Sequence, residues 1–181
     1  MGRLNADDWA RAALAALAEG GLAAVAVEPV AVRLGVSKGS FYWHFANRRA
    51  LVEAALRRWE AETEEVIAGL ESVPDPVERM RTLLGLAFGD GHDAAVSFRL
   101  ISEADDPLVA QVARRVSRRR LAFMRATMEE LGLAPEEAHR RVLAGYGSYL
   151  GLAALARIGA LTEVPPDLVD QAMAAFGLPE R

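Results

Sequence analysis

Apolar residues recur every three or four positions along almost the whole chain. No useful length alternates apolar with polar as a half-buried strand would. Ala, Leu, Arg and Glu dominate, and the β-branched residues are mostly Val at helical spacing, so the pattern predicts helices throughout. The first helix starts at Asn5 as N-cap, with Asp7 and Asp8 in the turn where carboxylates suit the helix dipole. Trp9, Ala13, Leu14 and Leu17 make its apolar stripe, and Gly20-Gly21 ends it. A short second helix runs from about Glu28 to Leu34, with Pro29 tolerated in the first turn and Gly35 just past the end. Ser37 caps a third helix reaching about Phe45, and Asn47 caps a long fourth one reaching about Leu70. Pro- and Gly-rich punctuation then leaves helices near 76–88, 92–104, 107–131, 135–160 and 166–176. The expected fold is all-α, about nine helices, with a three-helix helix-turn-helix head and a helical body. No internal repeat or low-complexity linker interrupts it.

Composition narrows the function classes. The chain has 181 residues, 52% of them apolar, enough to bury a real core. Cysteine is absent, which excludes disulfides, thiolate metal sites and cysteine nucleophiles and fits a reducing, cytoplasmic compartment. No run approaches the length of a membrane span and no secretory leader is evident, so no membrane partner is expected. A net charge of −4 argues against nucleic acid, but its distribution does not: residues 1–60 carry eight Lys/Arg against six Asp/Glu, and the excess of acids lies beyond them.

The densest chemistry lies in LGVSKGSFYWHF, residues 34–45, which holds four of the twelve aromatic residues. Two short helices joined by a Gly-containing turn make the helix-turn-helix pattern. On a helical wheel Phe41 and Phe45 share one face and pack inward. Gly39 and Trp43 point farthest from that core, flanked by Ser40 and Tyr42, with Lys38 at the helix start and His44 on its side. An outward Gly lets backbone approach a partner, and the hydroxyls, amine and imidazole suit phosphate oxygens. Trp43 suits stacking on a sugar or contact with a thymine methyl. Arg48 and Arg49 occupy the first turn of the fourth helix, where cations oppose the dipole, as a phosphate seat would require. The same spacing also fits a purely structural αα-hairpin whose aromatics fill a core.

The segment VAVRLGVSKGSFYWHFANRRAL resembles the DNA-binding head of TetR-family transcriptional repressors. Val30-Ala31, Leu34-Gly35-Val36-Ser37, Gly39, Phe41-Tyr42, His44-Phe45, Arg48 and Leu51 match its pattern in order and spacing, over roughly residues 5–55. Arg48 stands where that family usually has Lys. The Thr that commonly opens its second helix has no counterpart, Ala26 and Val27 occupying the region. The resemblance implies a homodimer on double-stranded DNA bearing a near-palindromic operator. It implies that Ser37 and Gly39 belong to the DNA-binding surface, that Lys38, Ser40 and Trp43 read or approach bases, that Tyr42, His44 and Arg48 hold phosphates, and that Arg3 reaches backbone or minor groove. It further implies a head over 1–55 and an effector-binding and dimerisation body over 56–181, hence a repressor released by a small molecule.

Within that body, Gly147 and Gly151 lie four apart with Ala154 and Ile158 continuing one side, while Leu168, Ala172 and Phe176 form a stripe on the last helix. Small residues permit close helix approach, so these two helices are expected to pair with their copies as a four-helix interface. Intrachain packing is the alternative. Trp59, Phe88, Phe98, Arg99, Phe123, Met124, Tyr146 and Tyr149 are candidates to line a pocket for a small apolar or aromatic effector. RRVSRRR, residues 114–120, reads as a solvated basic face paired with Glu103, Asp105 and Asp106. GDGHD, residues 89–93, reads as a helix-start turn rather than a metal site. The three histidines fall in separate segments, and no catalytic constellation or cofactor motif is evident, so the chain is not expected to be an enzyme. A small all-α ligand-binding protein or enzyme with a structural head remains the alternative.

Overall fold

The computed structural model describes residues 4–89, 92–161, 165 and 167–178, and every regular element among them is helical. In chain order they are α1 (Ala6–Gly20), a 3-10 turn (Leu22–Ala24), α2 (Val27–Arg33), α3 (Lys38–Phe41), α4 (Arg48–Glu71), α5 (Pro76–Gly89), α6 (His92–Ser102), α7 (Pro107–Glu130), α8 (Pro135–Arg157) and α9 (Leu168–Ala175). No helix among the described residues is long and apolar enough to cross a membrane.

Local chemistry sets most of the boundaries. Asn5 Oδ1 accepts from the N–H groups of Asp7 and Asp8 (2.8 and 3.0 Å), and Asp8 Oδ2 accepts from the Asn5 N–H (2.9 Å). This reciprocal capping box satisfies donors that an isolated helix start leaves open. Gly21 ends α1 at φ 71°, a left-handed backbone conformation that favours glycine. Asn47 Oδ1 accepts from the Ala50 N–H at 3.0 Å and starts α4.

Three boundaries depart from the sequence pattern. The helix expected to reach Phe45 stops at Phe41, and the Ser37 side chain makes no capping bond. The N–H groups of His44 and Phe45 both return to Phe41 O (2.9 and 3.0 Å), closing the turn. Gly39 and a run of aromatics have little propensity to hold a longer helix. The 3-10 turn at Leu22–Ala24 carries no capping signal of its own. α8 ends at Arg157, with Gly159 at φ 72° two residues on.

The chain forms two compact units that do not follow a boundary at residue 55. One comprises Met1–Thr63 with Arg99–Arg114, the other Glu64–Phe98 with Arg115–Arg181. In the first, Trp9, Leu17, Val25, Val30, Phe41, Leu51 and Leu56 are wholly buried, as is Val109 from the distant segment. Trp9 meets Phe41 edge-on at 5.4 Å, and Phe41 stacks on Phe45 at 5.6 Å. Side chains of this size contribute about 1.5–3 kcal/mol each on burial. The second unit packs Ile67, Leu70, Met80, Leu84, Phe123, Met124, Met128, Ala138, Val142, Met173, Phe176 and Leu178 into one core.

That core takes in part of the last helix. Phe176 is buried in its own chain, and Ala172 packs against the same cluster. A Cβ on Gly145 would fall 2.2 Å from Phe176 Cζ, so the ring seats directly on the glycine's backbone. Leu168 is half-buried on α9 as well. Of the Leu168–Ala172–Phe176 stripe, Phe176 is thus seated in the chain's own core with Ala172 beside it, while Leu168 and Ala172 each keep part of their surface exposed.

Candidate nucleic-acid interface

The head builds one exposed surface from α3 and the turn after it. Phe41 is fully buried, and its ring meets Tyr42 edge-on at 5.1 Å, anchoring the segment. The next two residues turn outward: Tyr42 is 59% and Trp43 75% exposed. Ser37, Lys38 and Gly39 are exposed too, while Ser40 and His44 are half-buried. A Cβ on Gly39 would meet nothing nearer than Ser37 Oγ at 3.7 Å, so its backbone lies open. Ser40 Oγ donates to Ser37 O at 3.0 Å, inside its own turn. Arg3 lies outside the described residues.

The charged groups around this surface are already partnered. Lys38 Nζ donates to Glu28 Oε1 at 2.7 Å, tying the first residue of α3 to the first turn of α2. That hydrogen bond, together with the charge, raises the Lys38 pKa and lowers that of Glu28. Arg48 Nε donates to Val25 O at 2.6 Å and its Nη2 donates to Leu22 O. Two of the five N–H groups that a guanidinium carries are thereby spent on closing the 3-10 turn. Arg49 pairs with Asp106 at 2.8 Å and more loosely with Glu53 at 3.8 Å. Burial would push Asp106 up, but the N–H groups of Val109 and Leu108 and the Arg49 guanidinium more than offset this and hold it low. Ala26, Val27, Glu28, Pro29, Lys38, Phe41, Tyr42, Ala46, Asn47 and Arg48 line an open groove of about 420 Å³.

The sequence pattern separated the inward and outward aromatics of this segment but missed Glu28 and Asp106. Their partners lie 10 and 57 positions away, and no periodicity reports such a pairing.

In the second unit the structure gathers Phe88, Tyr146 and Tyr149 from the expected pocket residues. Tyr146 stacks on Tyr149 at 5.9 Å, and Phe88 meets Tyr149 edge-on at 6.2 Å. They surround a polar cluster that sequence reasoning did not assemble. Arg120 grips Asp93 with both terminal nitrogens (2.9 and 2.7 Å) and donates to Ser97 Oγ at 2.8 Å. Tyr149 OH donates to Asp93 Oδ2 at 2.5 Å, and Ser117 Oγ lies 3.2 Å from Tyr146 OH. Burial and then the Asp93 charge raise the Tyr149 pKa, so the phenol remains a donor. Burial works against the Arg120 charge, but Asp93 overcomes it and raises the Arg120 pKa.

The other pocket candidates scatter. Trp59 is buried in the first unit, where Arg99 Nη2 also donates to Glu19 O at 3.2 Å. Phe123 and Met124 belong to the second unit's core, and Phe98 is half-buried at the end of one of that unit's segments. The basic run on α7 also pairs otherwise than expected. Arg119 reaches Glu64 and Glu71 at 3.0 Å each, and Arg120 turns inward to Asp93. Of GDGHD, Asp90 and Gly91 lie outside the described residues, and Asp93 is committed to Arg120 and Tyr149.

A three-helix head with its third helix laid open is the architecture of the helix-turn-helix proteins. Within that class, residues 10–55 match the family described as bacterial regulatory proteins, tetR family. The match is confined to the head, and the chain as a whole shares its fold with solved TetR-family transcriptional regulators. The tetracycline repressor protein class A from transposon 1721 of Escherichia coli is 36% identical over 84 residues, 46% of this chain and 37% of that protein. The class D tetracycline repressor of Escherichia coli is 39% identical over 54 residues, 30% of this chain and 25% of that protein. These matches therefore span little more than a third of the first relative's length and a quarter of the second's. A TetR transcriptional regulator of Legionella pneumophila superposes with a TM-score of 0.78 at 13% identity, over 98% of both chains. A transcriptional regulator of Rhodococcus sp. Rha1 gives 0.75 at 23%, over 96% of this chain and 95% of that one. A Saccharomonospora viridis protein solved in complex with choline gives 0.75 at 18%, over 95% and 93%.

Proposed function

We propose that the protein is a homodimeric, cytoplasmic transcriptional repressor that binds a near-palindromic operator and is released by a small-molecule effector. The observation that carries this reading is the exposed Tyr42-Trp43 pair beside Lys38 and Gly39 on a rigid, aromatic-anchored head. Trp43, 75% exposed beside the 59% exposed Tyr42, presents a large ring on the surface of α3 and its turn, where it can meet a base or a sugar. Lys38, Ser40 and Trp43 approach bases, with Ser37 and Gly39 admitting the close approach. Tyr42, His44 and the remaining N–H groups of Arg48 contact phosphates. Arg3 adds a backbone or minor-groove contact. The matching family supports the same assignment.

For the dimer, α8 is the supporting element. Gly147 and Gly151 have nothing within 4 Å of an added Cβ. Leu143, Leu155 and Ile158 are 46%, 45% and 74% exposed, and Ala154 is half-buried. This apolar stripe of small and large residues suits close pairing with its copy. The effector reading draws on Phe88, Tyr146 and Tyr149 around the Arg120–Asp93 pair, an aromatic wall with a few oriented polar tips. The protein solved with choline has the same fold and holds a small molecule.

The test is binding to DNA from upstream of its own gene across a salt series. Affinity should fall steeply with salt. Tyr42→Phe should weaken binding across all sequences, whereas Ser40→Ala and Trp43→Ala should change sequence preference. Indifference to all three substitutions would sink the contact assignment. Gly151→Leu should yield monomers in sedimentation, and an unchanged dimer would remove α8 from the interface.

A further inference from the structure

We propose that Glu28 is a built-in stand-in for a DNA phosphate, holding Lys38 neutralised in the free protein and so suppressing binding to unrelated DNA. The inference rests on the DNA-binding reading above. Glu28 and Lys38 meet at 2.7 Å across the groove that also bears Tyr42, Asn47 and Arg48. Their side chains are 69% and 51% exposed, and an ion pair so open to water contributes little to stability. The pair does have an electrostatic consequence. DNA phosphates hold a condensed layer of cations, and a lysine that reaches a phosphate releases them, which drives sequence-independent affinity. While Glu28 holds the Lys38 ammonium, that charge is not offered to a phosphate and the DNA keeps those cations. A phosphate arriving at Lys38 must displace a covalently tethered carboxylate in the same groove.

The gain is specificity. Contacts to phosphate favour every sequence equally, and unrelated sites vastly outnumber the operator. At the operator Lys38 approaches a base, but on unrelated DNA that contact is missing and its ammonium can serve only a phosphate; holding it on Glu28 therefore lowers the occupancy of unrelated DNA more than that of a site also read by Ser40 and Trp43. Neither residue belongs to the buried core, so substitutions here leave the fold in place.

The experiment is fluorescence anisotropy across a salt series. It uses two labelled duplexes: the DNA upstream of the protein's own gene, and an unrelated duplex of equal length. Glu28→Gln should steepen the salt dependence on the unrelated duplex by about 0.9 in log–log slope and tighten binding there by roughly three- to tenfold. The ratio of specific to unrelated affinity should fall. In a Lys38→Gln background the gain should vanish, since no ammonium is left to neutralise a phosphate. An unchanged slope, a gain that persists without Lys38, or a loss confined to the upstream duplex (Glu28 then reading a base) each overturns the proposal. Wild-type protein with no salt-dependent affinity for either duplex overturns it together with the DNA-binding reading. Wild-type binding with an indifferent Glu28→Gln overturns it alone.

Discussion

The two units of the molecule use their aromatic side chains in opposite ways. In the first, Trp9, Phe41 and Phe45 pack ring to ring without polar company, and the next residues along, Tyr42 and Trp43, face outward. In the second, Tyr146, Tyr149 and Phe88 gather around an ion pair, with the Tyr149 hydroxyl turned onto Asp93. An apolar cluster can anchor a segment while its neighbouring side chains turn to the surface. A polar aromatic cluster commits its hydroxyls inward and makes the packing depend on charge. The head is thus suited to presenting a fixed shape, and the second unit to responding when a charge near Asp93 changes.

Substitutions can break this contrast at graded cost. The largest effect belongs to Phe41→Ala, which should lose about 3–5 kcal/mol by urea denaturation, because a fully buried ring leaves a cavity under α3. Trp43→Ala, two residues on, is the matched control. A loss above about 0.5 kcal/mol there would show that Trp43 is structural after all. Next comes Arg120→Leu, expected to cost about 3 kcal/mol by leaving Asp93 and Tyr149 without their cation. A double variant, Arg120→Leu with Asp93→Asn, should recover part of that loss. No recovery would mean that Arg120 acts through packing rather than charge. Asn5→Ala should cost about 1 kcal/mol, since it removes the Oδ1 acceptor of the Asp7 and Asp8 N–H groups, keeps the backbone N–H that donates to Asp8, and touches neither aromatic cluster. A much larger loss would tie the head's stability to α1 capping rather than to its ring packing.

Much of the head was legible because its signals are local. Asn5 and Asn47 stand three residues or fewer from the N–H groups they cap. The inward placement of Phe41 and Phe45 follows from their spacing of four, although the helix itself closes at Phe41 and the turn carries Phe45 to the core. Gly147 and Gly151 were legible as a small-residue face. Leu143 and Leu155, which continue it at the same spacing, carried the same signal and were overlooked. The apolar stripe of α9 was equally periodic but could not declare which surface it covers. Periodicity marks a buried face without naming what buries it, and here it is the chain's own α8, cleared for Phe176 by Gly145.

The sequence by itself determined most helix boundaries and which residues of each helix share a side, because caps, glycine conformations and the 3.6-residue period act over a few positions. Tertiary structure alone decided the choices among distant partners. Arg120 grips Asp93 while its neighbour Arg119 turns to Glu64 and Glu71. Arg48 spends its first donors on Leu22 and Val25, and residues 99–114 complete the unit begun by the first 63. A charge or an apolar face has many chemically equivalent partners along a chain. Only the packed fold, by fixing distances and excluding water, makes one of them the lowest in free energy.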